Sequence, residues 1–344
     1  MTPFELLDAT SAADAAALLR AHAPHARPIA AGGDLLGLLK EHVGGPTLPL
    51  PAVLVNLATA SDLAQIGCDD DAWHVGAMVT LARLARERAL PPMIAEAIAH
   101  IASPQLRART TLGGNLLQRP RCLYLRHPDI ACFKKGGSTC AAIGGPEHAH
   151  PGALYPGRCH AGHPSDLAPV LMALDARAHV TGSGGSRTLS LAELYEGAAD
   201  NPHAEARLRS DEVLAALIVP RRPRAQAFEK VAPRAANEFA WCGAAVALAC
   251  EGSAIMAARI AASGIAPGPF VFEQANALLQ GRCVDAVDAA RVAHRLIAVE
   301  ATSTVVAARI DAARLAIERA LSRALQRAAA IPPHNPRSHN HRTS

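Results

Sequence analysis

Aromatic residues are scarce in this chain of 344 residues: only 3% are Phe, Trp or Tyr, although 50% are hydrophobic. The interior must therefore be built mainly from Ala, Leu, Val and Ile, and we expect alanine-rich helices to dominate. No uninterrupted apolar stretch reaches the roughly 18 residues that a membrane-spanning helix needs. We therefore expect no insertion into a membrane.

The chain also lacks an export signal and a strongly basic surface. Its first residues, Met1 to Ala12, contain Glu5 and Asp8 and no basic start followed by an apolar run, so the sequence by itself predicts a cytoplasmic protein. The formal net charge of +4, from 34 Lys and Arg against 30 Asp and Glu, is small for this length. Without a basic stripe, it predicts no binding of nucleic acid.

Motifs for chemistry on an organic substrate are missing as well. We find neither paired carboxylates nor a nucleophile next to a base. The dinucleotide fingerprint G-x-G-x-x-G is also absent. We therefore expect any organic substrate to react elsewhere.

The length is sufficient for two or three domains, and the pattern changes after Pro220 to Arg224. Before this run, short strands and helices alternate. After it, Ala227 to Val231 and Ala240 to Cys250 are predicted to form antiparallel strands, and Ala289 to Ala329 two helices broken near residues 301–304. The composition of the tail, residues 331–344, predicts disorder.

Two glycine turns are candidate binding sites. Ile29 to Leu36 and Thr111 to Leu116 each place a Gly-Gly pair where a helix is about to start. Small residues there let backbone N–H groups approach a phosphate, and the side chains of Thr111 and Asn115 can hydrogen-bond a phosphate or ribose. A single Gly-Gly pair is also typical of an ordinary turn. Two pairs together favour a dinucleotide or a similar phosphorylated ligand.

Four of the 8 cysteines crowd into an irregular Gly/Pro/His-rich stretch, residues 119–163, which we call the cysteine segment. Their spacing is Cys122-x9-Cys132-x7-Cys140-x18-Cys159, and the run Lys134 to Ser138 between them is predicted to be flexible. Four thiolates suit one [4Fe–4S] cluster, with one thiolate for each iron. A structural zinc site normally has a C-x2-4-C pair, which is missing here. Four unrelated thiols remain the simplest alternative.

Histidines are also frequent in the cysteine segment. We interpret them as loop residues or as hydrogen-bonding partners of a site, and replacement of one cysteine ligand by histidine stays open. They are His127, His148, His150, His160 and His163.

The two glycine turns are followed along the chain by a third motif, His163 to Asp175. These three motifs, in this order, resemble the FAD-binding medium subunit of the xanthine dehydrogenase and carbon monoxide dehydrogenase family. The similarity spans about residues 3–328. The cysteine segment is similar to the insertion in the FAD and [4Fe–4S] subunit of periplasmic aldehyde oxidoreductases. A 4-hydroxybenzoyl-CoA reductase-like flavin subunit also carries such an insertion, so that alternative stays open.

This resemblance implies an α+β fold. A two-lobed FAD-binding domain of the vanillyl-alcohol-oxidase (PCMH) type is expected over residues 1–224, with lobes at about 1–57 and 58–224. An α+β domain with an antiparallel sheet and helices is expected over residues 225–330.

The resemblance also implies the cofactor contacts. Backbone from Ala30 to Leu35 would hold the diphosphate, Asp166 would bond a polar part of FAD, and Leu214 and Lys230 would lie near the flavin ring. The implied cofactor-binding positions are Arg27, Pro28, Ile29, Ala30, Ala31, Gly32, Gly33, Asp34, Leu35, Thr111, Gly113, Gly114, Asn115, Asp166, Leu214 and Lys230. Relatives often carry Gly where this chain has Ala31, and Asn or Ser where it has Asp34. A carboxylate near a diphosphate is unfavourable unless it points away or meets a cation.

The implied function is that of an electron-transfer subunit in a molybdenum-dependent aldehyde oxidoreductase. Its expected partners are a small [2Fe–2S] subunit, a large subunit with the molybdenum cofactor, and an external electron acceptor. A partner with a twin-arginine signal would carry the folded complex to the periplasm. The rival hypotheses are a self-sufficient flavin oxidase and a non-enzymatic scaffold stabilised by zinc.

Overall fold

The computed structural model describes residues 1–145, 153–222 and 224–330. The predicted disordered tail and two of the histidines, His148 and His150, lie outside these residues. Among the described helices, none combines the length and the apolar character needed to cross a membrane.

The strands, in chain order, are β1 (Glu5–Asp8), β2 (Ala26–Ile29), β3 (Val53–Asn56), β4 (Ile66–Cys68), β5 (Ala72–Gly76), β6 (Arg177–Gly182), β7 (Gly185–Ser190), β8 (Val213–Pro220), β9 (Ala225–Val231), β10 (Cys242–Glu251), β11 (Ala254–Ser263) and β12 (Phe270–Val271). The α-helices are α1 (Ala12–Ala21), α2 (Leu35–Lys40), α3 (Leu81–Leu84), α4 (Pro92–Ala99), α5 (Pro104–Arg107), α6 (Leu112–Leu116), α7 (Leu123–Arg126), α8 (Leu167–Ala173), α9 (Leu191–Leu194), α10 (Ala275–Leu279), α11 (Ala289–Leu296) and α12 (Thr304–Ala329).

The first sheet is parallel, with β3 between β1 and β2. Helix α1 covers it and begins after Ser11, because the hydroxyl of this residue accepts a hydrogen bond from the backbone N–H of Asp14 at 3.1 Å. Leu19 of α1 packs with Val55 of β3 in a small core. The first glycine turn follows β2, so this sheet positions it.

The second sheet is antiparallel and has five strands in the order β4-β5-β8-β6-β7. Its central strand, β8, comes from about 140 residues after β5 yet pairs with it from Ala72↔Pro220 to Gly76↔Ala216. The second glycine turn packs against the chain just after β5. Residues distant in sequence are thereby brought to one side of the molecule.

The third sheet is antiparallel, in the order β12-β11-β10-β9, and α12 lies along it. The apolar residues of this helix form one stripe at helical spacing, and Ile310, Ile317 and Leu321 are buried in the core of this region. The predicted break between the last two helices is also present, and the Ser303 hydroxyl caps α12 through the Val306 N–H at 3.2 Å.

The α+β fold class is confirmed. The strands of the three sheets fall within residues 5–56, 66–220 and 225–271. The domain limits given above stay a prediction. Within the described part of the cysteine segment, the only helical turns are α7 and a 3-10 turn at Phe133–Lys135, consistent with its lack of periodicity.

Candidate functional site

The two glycine turns line one cleft of about 540 Å³, to which residues of all three sheets contribute. All sixteen predicted cofactor-binding positions, from Arg27 to Lys230, line this cleft. They come from five separate stretches of the chain, which the fold brings together. Which of them contact a cofactor stays a prediction.

The first turn needs glycine for two different reasons. Gly32 has φ +72°, and a Cβ there would lie 2.7 Å from Cδ1 of Leu36. A Cβ on Gly33 would meet no atom within 4 Å, because this residue borders the cleft. The second glycine therefore leaves open space in which a ligand can approach the backbone.

The second turn is fixed by Thr111, whose hydroxyl accepts a hydrogen bond from Gly114 N at 3.1 Å and caps α6. Gly113 donates its N–H to the carbonyl of Ala77 at 2.8 Å. A Cβ on Gly113 would lie 2.8 Å from Cβ of Ala77, so only glycine fits. Asn115 accepts a hydrogen bond from the Ser165 hydroxyl at 2.7 Å, which ties this turn to the residue before Asp166.

A buried ion pair closes one side of the cleft. The ammonium of Lys230 lies 2.7 Å from Asp166 Oδ2, and the two side chains expose only 7% and 5%. Lys230 also donates to the carbonyl of His100 at 3.1 Å. Burial raises the pKa of Asp166, and the charge of Lys230 acts against that rise.

The other carboxylate oxygen, Asp166 Oδ1, is buried and has no hydrogen-bond partner among the described residues. A buried acceptor without a partner is costly unless a ligand supplies a donor. The aspartate therefore fits a bound molecule that carries hydroxyl or N–H groups.

The carboxylate of Asp34 is paired with arginines. Their positive charge compensates the repulsion expected between this carboxylate and a diphosphate. The carboxylate accepts from Arg126 Nη2 at 2.6 Å and from the backbone N–H of Arg119 at 2.9 Å, and it pairs with Arg121 at 3.1 Å. All three arginines belong to the cysteine segment. The first glycine turn is thus bonded directly to the chain on both sides of Cys122.

The four predicted metal ligands, Cys122, Cys132, Cys140 and Cys159, are all buried and none forms a disulfide. Cys122, Cys132 and Cys159 share a small hydrophobic core with Leu38 of α2, the helix that follows the first glycine turn. Burial raises the pKa of Cys122 to about 11 and that of Cys159 to about 12. Cys140 acts electrostatically on each of the other three thiols, so the four are neighbours.

In the described part of the chain, no three His, Cys, Asp or Glu side chains are arranged to hold a single metal ion. The prediction that Lys134 to Ser138 is flexible is wrong for its first two residues: Lys134 and Lys135 are buried, and their ammonium groups donate to backbone carbonyls. His163 is also buried, and desolvation lowers its pKa to about 3. Its ring packs edge-on against Tyr195 at 5.0 Å, which is a core contact.

Part of the cleft was not predicted. Arg119 and Arg121 line it, as does the loop of Asn237, Glu238 and Phe239 that follows β9. The guanidinium of Arg121 lies 4.7 Å from the centre of the Phe239 ring. No local motif marks these residues, because their position depends on packing between distant parts of the chain.

Known families match nearly the whole chain. Residues 2–222 match the FAD binding domain in molybdopterin dehydrogenase, and residues 227–328 match the CO dehydrogenase flavoprotein C-terminal domain. The chain belongs to the FAD-binding medium subunits of the molybdenum hydroxylase family. The predictions of family and of an oxidoreductase flavin subunit are confirmed.

Individual relatives agree with this assignment. The chain is 33% identical over 270 residues to the aldehyde oxidoreductase FAD-binding subunit PaoB of Escherichia coli (strain K12), covering 77% of this chain and 82% of PaoB. It is 30% identical to the caffeine dehydrogenase subunit beta of Pseudomonas sp. (strain CBB1), covering 82% and 80% of the two chains.

Solved structures show the same fold. The quinoline 2-oxidoreductase structure from Pseudomonas putida 86 matches with a TM-score of 0.72 and 25% identity, over 95% of this chain and 99% of the other. A Cu,Mo-CO dehydrogenase chain matches with a TM-score of 0.70 and 25% identity, over 95% and 100%. Because the cleft combines the open backbone at Gly33 with the unpartnered buried carboxylate oxygen of Asp166, its residues fit the FAD that the family binds.

Proposed function

We propose that this chain is the FAD- and [4Fe–4S]-binding electron-transfer subunit of a molybdenum-dependent aldehyde oxidoreductase. One observation carries the proposal. The turn that borders the FAD cleft leads into α2, and Leu38 of this helix belongs to the same small hydrophobic core as three of the four buried cysteines. A flavin site and a sulfur-rich site would thus share one short helix.

Different residues of the cleft would contact different parts of FAD. The turn around Gly33 would receive the diphosphate, because its backbone borders open space. Asp166 would accept a hydrogen bond from the cofactor at its unpartnered Oδ1. Lys230, held by Asp166, would place a positive charge near the flavin ring, which favours the reduced, anionic form. FAD supplies the redox chemistry when it is bound.

The donor set of the cysteine segment suits an iron–sulfur cluster better than a zinc ion. Four cysteine thiolates are the ligands of a [4Fe–4S] cluster, and each binds a different iron, so the sulfurs surround a volume. A structural zinc site normally includes a C-x2-4-C pair, which the four cysteines lack. Burial disfavours bare thiolates at Cys122 and Cys159, so metal would have to replace their protons.

The relatives support the choice of partners and substrate. PaoB is the FAD-binding subunit of an aldehyde oxidoreductase, and the carbon monoxide dehydrogenase medium chain of Afipia carboxidovorans is another relative. We propose a heterotrimer with a large molybdenum-cofactor subunit and a small [2Fe–2S] subunit. Electrons from aldehyde oxidation would reach this chain and leave it to an external acceptor. Export to the periplasm would depend on a twin-arginine signal of a partner.

Anaerobic reduction of the flavin tests the proposal. The assembled complex and the isolated chain are each mixed with an aromatic aldehyde, and the visible flavin absorption is followed. We expect bleaching in the complex and none in the isolated chain, because the aldehyde reacts on a partner. Bleaching of the isolated chain would instead identify a self-sufficient flavin oxidase. An unbleached complex that is bleached by dithionite would rule out the aldehyde as substrate.

A further inference from the structure

Two lysines of the cysteine segment are buried more deeply than lysine normally is. Lys134 and Lys135, two and three residues after Cys132, expose only 1% and 3% of their surface. Lysine is almost never fully buried unless it is paired, since a charge loses its hydration in the interior. Two such residues in succession call for an explanation beyond packing.

Backbone carbonyls satisfy the hydrogen bonds of both ammonium groups. Lys134 Nζ donates to the carbonyls of Ala198, Asn201 and Ala204 at 2.6, 2.7 and 2.9 Å. Lys135 Nζ donates to the carbonyls of His127 and Pro128. Neutral carbonyls orient an ammonium group but leave its charge uncompensated.

Carboxylates do not neutralise these charges directly. Among residues 1–145, 153–222 and 224–330, neither lysine forms an ion pair within 4 Å of a carboxylate oxygen. Glu205 acts on Lys134, and Asp129 on Lys135, only from a greater distance, and Glu205 already pairs with Arg119 at 3.4 Å. The segment therefore holds an excess of buried positive charge.

The excess charge lies beside the thiols. Lys134 acts electrostatically on Cys132 and Cys159. Lys135 acts on Cys132 and Cys122. Together the two lysines reach three of the four cysteines, so their charge suits an anionic group held at that position.

We propose that Lys134 and Lys135 raise the reduction potential of the [4Fe–4S] cluster, an inference that rests on the function proposed above. A cluster held by four thiolates is an anion, and its one-electron reduction adds a further negative charge without a proton or a leaving group. A buried cation stabilises the reduced form more than the oxidised form. Net charge and hydrogen bonding near the sulfurs are among the determinants of cluster potential.

The test is a redox titration of the assembled holoenzyme with dithionite as reductant, followed by the EPR signal of the reduced cluster. Lys134→Gln keeps a hydrogen-bond donor without the charge, and Lys135→Met keeps the length of the side chain. Each substitution should lower the reduction potential by at least about 59 mV, which corresponds to a tenfold change in the equilibrium constant of one-electron reduction. Lys40→Met removes an exposed lysine at the end of α2 and should leave the potential unchanged.

The outcomes separate this inference from the proposed function. If iron and sulfide are absent from the wild type, both are overturned. If the cluster is present but neither substitution changes its potential, only the role of the lysines is overturned. Should charge removal expel the cluster, Lys135→Arg decides. If that variant keeps the cluster and its reduction potential, the positive charge of the side chain is responsible. If it loses the cluster, the lysine acts only through its shape.

Discussion

The FAD cleft and the cysteine segment lie side by side but use glycine in opposite ways. In the cleft, a Cβ on Gly33 would meet nothing within 4 Å. At the contact with the cysteine segment, a Cβ on Gly45 would lie 2.2 Å from the carbonyl oxygen of Lys135, and one on Gly137 2.1 Å from that of Ala131. The cleft keeps space at Gly33 for a ligand from outside, whereas the backbone at Gly45 and Gly137 is packed too closely to admit a side chain.

The two regions are joined at two places. Asp34 bonds the first glycine turn to the arginines around Cys122. The short segment after α2 approaches the 3-10 turn that follows Cys132, where Thr47 N donates to the carbonyl of Lys135 at 3.4 Å. Damage to the cysteine segment should therefore reach the cleft, while small changes within the open cleft should stay local.

Removal of all four cysteines should have the largest effect. With Cys122, Cys132, Cys140 and Cys159 replaced by Ser, we expect iron to fall from about four per chain to almost none, because serine does not replace thiolates as cluster ligands. FAD should still bind, but more weakly, since α2 loses its packing partners. Iron analysis and flavin absorption measure the two effects. Cys68→Ser, at an exposed position, is the control, and iron retained in the quadruple variant would contradict the assignment.

Gly45→Ala tests the close contact between the two regions. The added methyl group overlaps a backbone oxygen, so we expect the free energy of unfolding to fall by about 2 kcal/mol. The residue does not line the cleft, so the folded variant should bind FAD nearly as tightly as the wild type. Urea denaturation measures the stability, and flavin fluorescence measures the affinity for FAD. An unchanged stability would mean that the segment is less tightly packed than described.

Gly33→Ala is the reverse experiment. Its methyl group has room within the protein, so the stability of the FAD-free protein should not fall. If the diphosphate approaches this backbone, the dissociation constant of FAD should rise about tenfold, which is about 1.4 kcal/mol. Fluorescence titration gives this constant. Gly37→Ala, which is equally unobstructed but lies away from the cleft, should bind FAD normally, and equal affinities in both variants would place the diphosphate elsewhere.

Asp34→Asn should have the smallest effect. The amide oxygen can still accept from Arg119 N, but the charge interaction with Arg121 and Arg126 is lost. Because these side chains are 20–34% exposed, we expect a loss of only about 1 kcal/mol in unfolding free energy. The loss should shrink as salt is added. A difference that is absent at low salt would show that this link is not an electrostatic one.

The sequence alone predicts the parts of the site that depend on local backbone geometry. Both glycine turns were found because Gly32 and Gly113 meet steric demands that appear as a Gly-Gly pattern. Arg121 and Phe239 were missed, since nothing local shows that the loop after β9 reaches the cleft. The burial of Lys134 and Lys135 was not predicted because lysine next to Gly-Gly is typical of exposed loops. The ammonium of Lys134 is held by carbonyls more than 60 residues away, and that of Lys135 by the carbonyl of His127.

The fold shows the same division. The strands β9 and β10 and the helices α11 and α12 were predicted from their periodicity or composition. Strands β1 and β11 were missed: β1 is mostly exposed, and β11 is so rich in alanine that its sequence, AIMAARIAAS, favours a helix. Pairing with β10 along its length overrides that preference.

The cofactor content of the anaerobically purified protein tests the central claim most directly. Iron, acid-labile sulfide and FAD are measured per chain in the same sample. Our account predicts about four irons, about as much sulfide, and one FAD. Zinc, or no metal at all beside a full complement of FAD, would contradict the cluster and leave the cysteine segment as a purely structural neighbour of the flavin site.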